Sequence, residues 1–245
     1  MIEFLHVHKT YGKSGKAALT DLTLTVPDGC VYGFLGPNGA GKTTAIRLMT
    51  GVLKPTEGSI RVNGVSVAED PVTVKRSIGF VSDSQDMYDR LTGWEYISFM
   101  ADIFGVSEKE RKEAAEKYLA MFELESAAGQ RIQGYSRGMK QKLNIIGALV
   151  HNPPVWVLDE PMVGLDPKAA HLLKTEMRER ADAGATVFFS THVLEVAERL
   201  CDRVGIIQTG RLITEGTPES LLKGTNESLE DFFLELTEKE EAEEA

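Results

Sequence analysis

Long apolar runs, cysteines and surplus positive charge are all scarce in this 245-residue chain. No stretch approaches the roughly 18 consecutive apolar residues of a membrane-spanning helix, so any membrane-embedded part must come from another chain. The only cysteines, Cys30 and Cys201, are far apart and have neither CxxC spacing nor flanking histidines. That excludes a disulfide framework or a zinc site and fits reduced thiols in the cytosol. Acidic residues outnumber basic ones 37 to 27, a net charge of −10, and no Lys/Arg block could grip a phosphate backbone. Nucleic acid is therefore not an expected partner. Met1–His6 lacks a basic region followed by an apolar stretch, so no leader is predicted. Much of the acidity collects at the end, where Glu235, Glu238, Glu240, Glu241, Glu243 and Glu244 are opposed only by Lys239, which predicts a solvated or frayed tail.

The most informative stretch present is Gly36-Pro37-Asn38-Gly39-Ala40-Gly41-Lys42-Thr43-Thr44, which satisfies G-x-x-x-x-G-K-[ST]. Its four fixed positions would coincide by chance in roughly 1% of chains this long. The flanks agree as well: strand-length Cys30–Leu35 precedes it, and helix-forming Thr44–Met49 follows. The glycines let successive backbone N–H groups curl around an anion, and the helix N-terminus adds partial positive charge. In such a cradle Lys42 reaches the β- and γ-phosphates of a nucleotide, and the Thr43 hydroxyl ligates Mg2+.

Around this loop the pattern is α/β. Ile2–Val7, Leu22–Val26 and Ser59–Gly64 read as strands of a small antiparallel sheet, and the helix opened at Lys42 is stopped by Gly51 and Pro55. Residues 94 to 150 turn helical, with Trp94–Phe104 and Lys109–Phe122 as candidate helices, the second preceded by Ser107 and Glu110 at capping-box spacing. Strands and helices then alternate again through Val155–Leu158, Lys168–Ala181, Thr186–Phe189, Leu194–Leu200 and Val204–Ile207. Short connections between them imply a mostly parallel sheet covered by helices. The predicted architecture is thus a phosphate-loop NTPase core with a flanking antiparallel β subdomain, in residues 1–85 and 151–220. A helical insertion occupies 86–150, and a helical acidic tail 221–245.

Strand Val155–Leu158 runs into Asp159 and Glu160. A carboxylate at the C-terminal end of a parallel strand lies on the sheet edge that also carries the phosphate loop, so Asp159 can hold Mg2+ and Glu160 can face an attacking water as general base.

With these residues in place, the chain resembles the ATP-binding cassette family over nearly its whole length. Tyr135-Ser136-Arg137-Gly138-Met139 stands where that family carries its LSGGQ signature; Ser136 and Gly138 are identical, while Tyr135, Arg137 and Met139 depart from it. Gly164-Leu165-Asp166-Pro167 resembles the D-loop, which would place Asp166 at a dimer seam. Ser190-Thr191-His192 resembles the switch segment, in which His192 contacts the γ-phosphate and the attacking water. Tyr11 stands where the family stacks an aromatic ring on adenine. At the Q-loop glutamine position this chain has Asp83, the preferred candidate for the metal's shell, with Gln85 as the alternative.

The resemblance implies an ATPase using ATP and Mg2+. It also implies head-to-tail pairing with a second copy or a homologous subunit, so that Ser136 and Gly138 cover the partner's nucleotide, with Asp166 beside it. A separate integral membrane permease is implied too, docked near residues 83–92, which would hold the chain at the cytoplasmic face of the cell membrane. The signature segment and short C-terminal extension look more like exporters than nutrient importers. The competing expectation is a soluble cassette ATPase acting on ribosomes or DNA, though the tandem cassettes, coiled coils and basic extensions usual there are missing.

Overall fold

The computed structural model describes residues 1–12, 15–84, 87–222 and 228–244, with side chains for these except residues 16 and 237–244. Ten strands run in chain order as β1 (Ile2–Tyr11), β2 (Lys16–Val26), β3 (Val31–Leu35), β4 (Glu57–Val62), β5 (Val65–Ser66), β6 (Ile78–Val81), β7 (Val155–Asp159), β8 (Thr186–Thr191), β9 (Arg203–Gln208) and β10 (Arg211–Gly216). The helices are α1 (Lys42–Met49), α2 (Pro71–Ser77), α3 (Gly93–Phe104), α4 (Glu108–Met121), α5 (Arg137–Leu149), α6 (Pro167–Asp182), α7 (Leu194–Leu200), α8 (Pro218–Leu221) and α9 (Leu229–Glu244).

The expected division into two sheets is present. One is antiparallel, in the order β2-β1-β4-β5; the other has the order β10-β9-β3-β8-β7-β6, parallel from β9 to β6 with β10 antiparallel at its edge. Strands β3, β7 and β8 are buried at every residue, as their continuous apolar runs require when helices cover both faces. Their common direction brings the loops after β3, β7 and β8 out on one edge.

Helix starts follow local chemistry. Thr92 with Glu95, and Ser107 with Glu110, form capping boxes at α3 and α4, the second as predicted. The helical stretch shares a core with the main sheet: Ile97, Leu119 and Leu143 belong to the same buried cluster as Trp156 and Leu173. A buried polar tie reinforces this join. Tyr118 Oη donates to Glu176 at 2.8 Å, and Arg180 donates to both Glu176 (3.0 Å) and Tyr118 (2.9 Å), fixing α4 to α6. Each member is hydrogen-bonded, which keeps their burial from being costly.

Just ahead of the acidic tail, Leu229 is fully buried, and Phe232, Phe233 and Leu236 pack into the cluster of Leu194 and Ala197 on α7, at the i, i+3, i+4, i+7 spacing of an amphipathic helix. Of the tail acids, Glu235 is exposed, and the side chains of 238–244 lie outside the described residues. One sequence expectation changes: strand β10 was missed, although Thr209 (φ 45) and Gly210 (φ 83) make a two-residue turn of left-handed backbone, the preferred link of a tight hairpin.

His151, after α5, lies flat on Phe104 with ring centroids 3.6 Å apart. Burial pushes its pKa down from 6.5 to about 4. Folding therefore favours neutral His151: its contribution is complete above about 6.5, where the unfolded chain is also neutral, and is lost as pH falls from there toward about 4. Urea unfolding at about pH 7, above that window, and about pH 5, inside it, should give a smaller stability difference for His151→Phe than for the unaltered chain.

Candidate functional site

The loop after β3 is shaped by close approach. A Cβ on Gly36 would lie 2.3 Å from the Ile207 carbonyl oxygen, and Gly41 combines φ 112 with a would-be Cβ contact of 2.7 Å to the Ala18 carbonyl. Only glycine fits either place. Helices α2 to α6 each receive a side-chain cap at the N-terminus, but α1, which begins at Lys42, has none. Its first N–H groups are thus left to an external acceptor, and the helix dipole favours an anion there.

Lys42 is 6% exposed. Its Nζ donates to the carbonyls of Gly36 (2.5 Å) and Pro37 (3.2 Å) and lies 3.5 Å from Glu160 Oε1. Asp159 is 1% exposed at the end of β7. It accepts from Ser190 Oγ at 2.6 Å, and burial raises its pKa against the lowering effect of the neighbouring Ser190 and Thr43 hydroxyls. Its register partner across the sheet is Ser190 on β8, whose Oγ also accepts the Glu160 N–H at 3.0 Å. One serine thereby fixes both acids, a role sequence reasoning missed because it depends on sheet pairing. Glu160 has φ 48, a left-handed conformation unusual for a non-glycine residue and often found at functional sites. Its Oε2 lies 3.0 Å from His192 Nδ1, so the histidine expected to sense the terminal phosphate and the expected base are in contact.

A cavity of about 220 Å³ gathers Lys42, Asp159 and Glu160, while His192 and Ser190 are not on its wall and reach it only through their contacts with the two acids. It is lined by Pro37, Asn38, Gly39, Gly41, Lys42, Thr43 and Thr44 together with Asp83, Asp159, Glu160 and Ala18. Asp83 therefore sits with the phosphate loop, while Gln85 lies outside the described residues. Ala40, within the loop, is buried and does not line the cavity. Tyr11 is 43% exposed, with its hydroxyl 3.5 Å from Thr44 Oγ1. It is a surface ring beside the loop rather than a core residue, open to stacking by a planar base.

The remaining expected residues form a second group. Ser136 caps α5, its Oγ accepting the Met139 N–H at 3.3 Å, and is exposed. A Cβ on Gly138 would meet the Gly164 carbonyl at 2.8 Å. Asp166 caps α6 through the Ala169 N–H (2.8 Å) and pairs with Lys142 at 2.9 Å. None of these lines the cavity. Tyr135, a departure from the signature, is buried and donates to the Ala127 carbonyl at 2.8 Å, which anchors the segment.

The donor set fits a divalent cation of the Mg2+ kind. Asp159 Oδ2 is buried with no protein hydrogen-bond partner, Thr43 and Asp83 share its cavity, and Mg2+ is usually held by one or two carboxylates with phosphate oxygens and water.

Known proteins resemble this chain over most of its length. A family model described as ABC transporter matches residues 19–163. Nod factor export ATP-binding protein I of Rhizobium leguminosarum bv. viciae is 37% identical over 222 residues, covering 91% of this chain and 71% of that protein. Linearmycin resistance ATP-binding protein LnrL of Bacillus subtilis (strain 168) is 35% identical over 222 residues, covering 90% and 70%. Among solved structures, the ATP binding subunit of an ABC transporter superposes with a TM-score of 0.92 at 34% identity, covering 97% of this chain and 99% of that one. A dimeric ATP-binding cassette in a post-hydrolysis state bound to ADP and Pi gives 0.81 at 27% identity, covering 89% and 98%.

Proposed function

We propose, since this chain belongs to the ABC transporter family and is an ATP-binding, ATP-hydrolysing subunit of exporter type, that it drives export through a separate membrane permease by closing on ATP as a head-to-tail pair. The observation that carries this reading is the split between two groups of residues. Lys42, Asp159, Glu160 and Asp83 converge on one cavity, while Ser136, Gly138 and Asp166 stand outside it. One chain therefore offers half of an enclosed nucleotide site. A second copy, or a homologous subunit, supplies the other half and expels water from the γ-phosphate.

Within that pair each residue has a defined task. Gly36 to Thr44 turn backbone N–H groups toward the phosphates, with Pro37, Asn38 and Ala40 shaping the loop between its glycines. Lys42 exchanges its carbonyl contacts for β- and γ-phosphate oxygens, and Tyr11 stacks on the adenine. Thr43, Asp159 and Asp83 would hold Mg2+, which when bound offsets phosphate charge. Glu160 orients the attacking water and accepts its proton, and His192 holds Glu160 while reading the terminal phosphate. Ser136 and Gly138 aim the α5 N-terminus at the partner's γ-phosphate, and Asp166 lies at the seam. Among the described residues no helix is long and apolar enough to cross a membrane; in this reading the translocation path belongs to the permease, which keeps the subunit at the inner membrane face.

Affinity purification of the tagged chain from detergent-solubilised membranes of its native host tests the reading. An integral membrane protein is expected to accompany it in stoichiometric amount. Recovery on ribosomes or DNA with no membrane protein would overturn the proposal.

A further inference from the structure

Helix α7 begins at Leu194, two residues after His192. The His192 imidazole is half-exposed, so the backbone that carries it decides whether Nδ1 stays 3.0 Å from Glu160 Oε2. That backbone runs directly into a helix with little support of its own. α7 has seven residues and no side-chain cap at its N-terminus, and a helix so short keeps its place through packing, not through its own hydrogen bonds.

The packing comes from two elements. α7 contacts both β3 and α9, and Leu194 and Ala197 share one buried cluster with Leu35, Val204 and Ile206 of the sheet and with Leu229 of α9. Polar contacts fix the start of α9 at this place. Ser228 Oγ accepts the Asp231 N–H at 3.1 Å while Asp231 Oδ2 accepts the Ser228 N–H at 3.1 Å, a reciprocal cap. The Leu229 N–H, which has no acceptor within its own helix, donates to Glu198 Oε2 on α7 at 3.2 Å. Leu229 is thereby held to α7 and is fully buried, and Phe232, one turn on, joins the same cluster. Leu35, just before Gly36, has other support, since β3 is bonded to β8 on one side and to β9 on the other.

We infer, on the reading that His192 serves Glu160 and the terminal phosphate, that Leu229 and Phe232 are positioning residues for His192. α9 seats α7, and α7 sets where His192 meets Glu160. Neither Leu229 nor Phe232 lines the cavity, so their effect falls on turnover and not on capture of nucleotide.

The test uses the full chain with two readouts, steady-state phosphate release and the imidazole resonances in proton–nitrogen correlation spectra. Leu229→Ala should lower kcat about tenfold, because displacing a reacting group by about 1 Å can cost about 10²-fold. Affinity for a fluorescent ATP analogue should change by less than about twofold, as expected of a site apart from the cavity. His192→Ala should lower kcat by itself, and adding Leu229→Ala to it should then cost less than about twofold, because residues that act through one another are not additive. General damage to the fold would instead reduce turnover by the same factor in both backgrounds. In the spectra, Leu229→Ala should move the resonance that His192→Ala removes and leave that of His6, on β1, in place. Leu229→Met, which conserves volume, should keep kcat. Where thermal melting shows Leu229→Ala to be poorly folded, Phe232→Leu decides by the same readouts at smaller amplitude. An unmoved His192 resonance, an equal fold-loss of kcat with and without His192, or analogue affinity lost in step with kcat overturns this inference alone. Unchanged turnover in His192→Ala overturns it together with the role read for His192.

Discussion

Glu160→Gln should slow phosphate release by about 10²–10⁴-fold, the usual contribution of a general base, while the chain still binds ATP and accumulates as a dimer under Mg-ATP. The substitution keeps volume and removes one negative charge. That charge stands 3.5 Å from Lys42 Nζ and 3.0 Å from His192 Nδ1, at the cavity where the γ-phosphate is expected. Loss of the carboxylate frees Lys42 for the phosphates and relieves repulsion between like charges, so binding is kept or tightened as turnover fails. The backbone N–H of residue 160 still reaches Ser190 Oγ, because that bond does not use the side chain. Steady-state phosphate assays with size-exclusion chromatography and light scattering read both consequences. Turnover within a few-fold of the unaltered chain would remove Glu160 from the base role. A monomer under saturating Mg-ATP would remove the paired mechanism.

The parts of this site legible in the sequence were those whose chemistry lies in contiguous residues. Gly36 to Thr44 and the Asp159-Glu160 strand end declare themselves because a loop must curl within a few positions and a doubly buried strand must be continuously apolar. The parallel sheet followed from the same runs. Ser190 was not legible as the residue that fixes both acids, because its meeting with Asp159 is set by the register of β7 against β8. The hydrogen bonds from Asn144 to the Ser82 carbonyl and from Lys140 to Asp89 were hidden for a similar reason: their partners are 62 and 51 residues away, and polar residues on a helix ordinarily read as a solvated face. The docking of the last helix was not legible either: Leu229, Phe232, Phe233 and Leu236 repeat at helix spacing and pack on α7, the helix that follows His192, but they stand directly ahead of a run whose acidity reads as solvent-facing. Asp83 stood in the sequence only as a departure from a pattern; its place on the cavity wall gives that departure a physical setting, since a carboxylate there can serve a cation as well as an amide can.

Lys42→Ala should weaken ATP binding by about 10²-fold or more, the scale expected when one partner of a buried charge pair is truncated. Lys42 is the cation that lines the cavity among the described residues, against the three acids Asp83, Asp159 and Glu160. Without it the incoming phosphates meet those acids with compensation only from the cation bound alongside, in a buried setting where screening is weak. The loop itself should also loosen, because Lys42 Nζ ties the Gly36 and Pro37 carbonyls to the start of α1. Lys42→Arg separates charge from shape. It restores the positive charge, but a planar guanidinium must enter a space where one ammonium reaches two backbone carbonyls, so only part of the affinity should return. Titration with a fluorescent ATP analogue, with and without Mg2+, distinguishes the contributions. If alanine binds within about threefold of the unaltered chain, the uncapped α1 N-terminus and loop amides hold the phosphates without the lysine, and electrostatic neutralisation by Lys42 is not what selects nucleotide at this site.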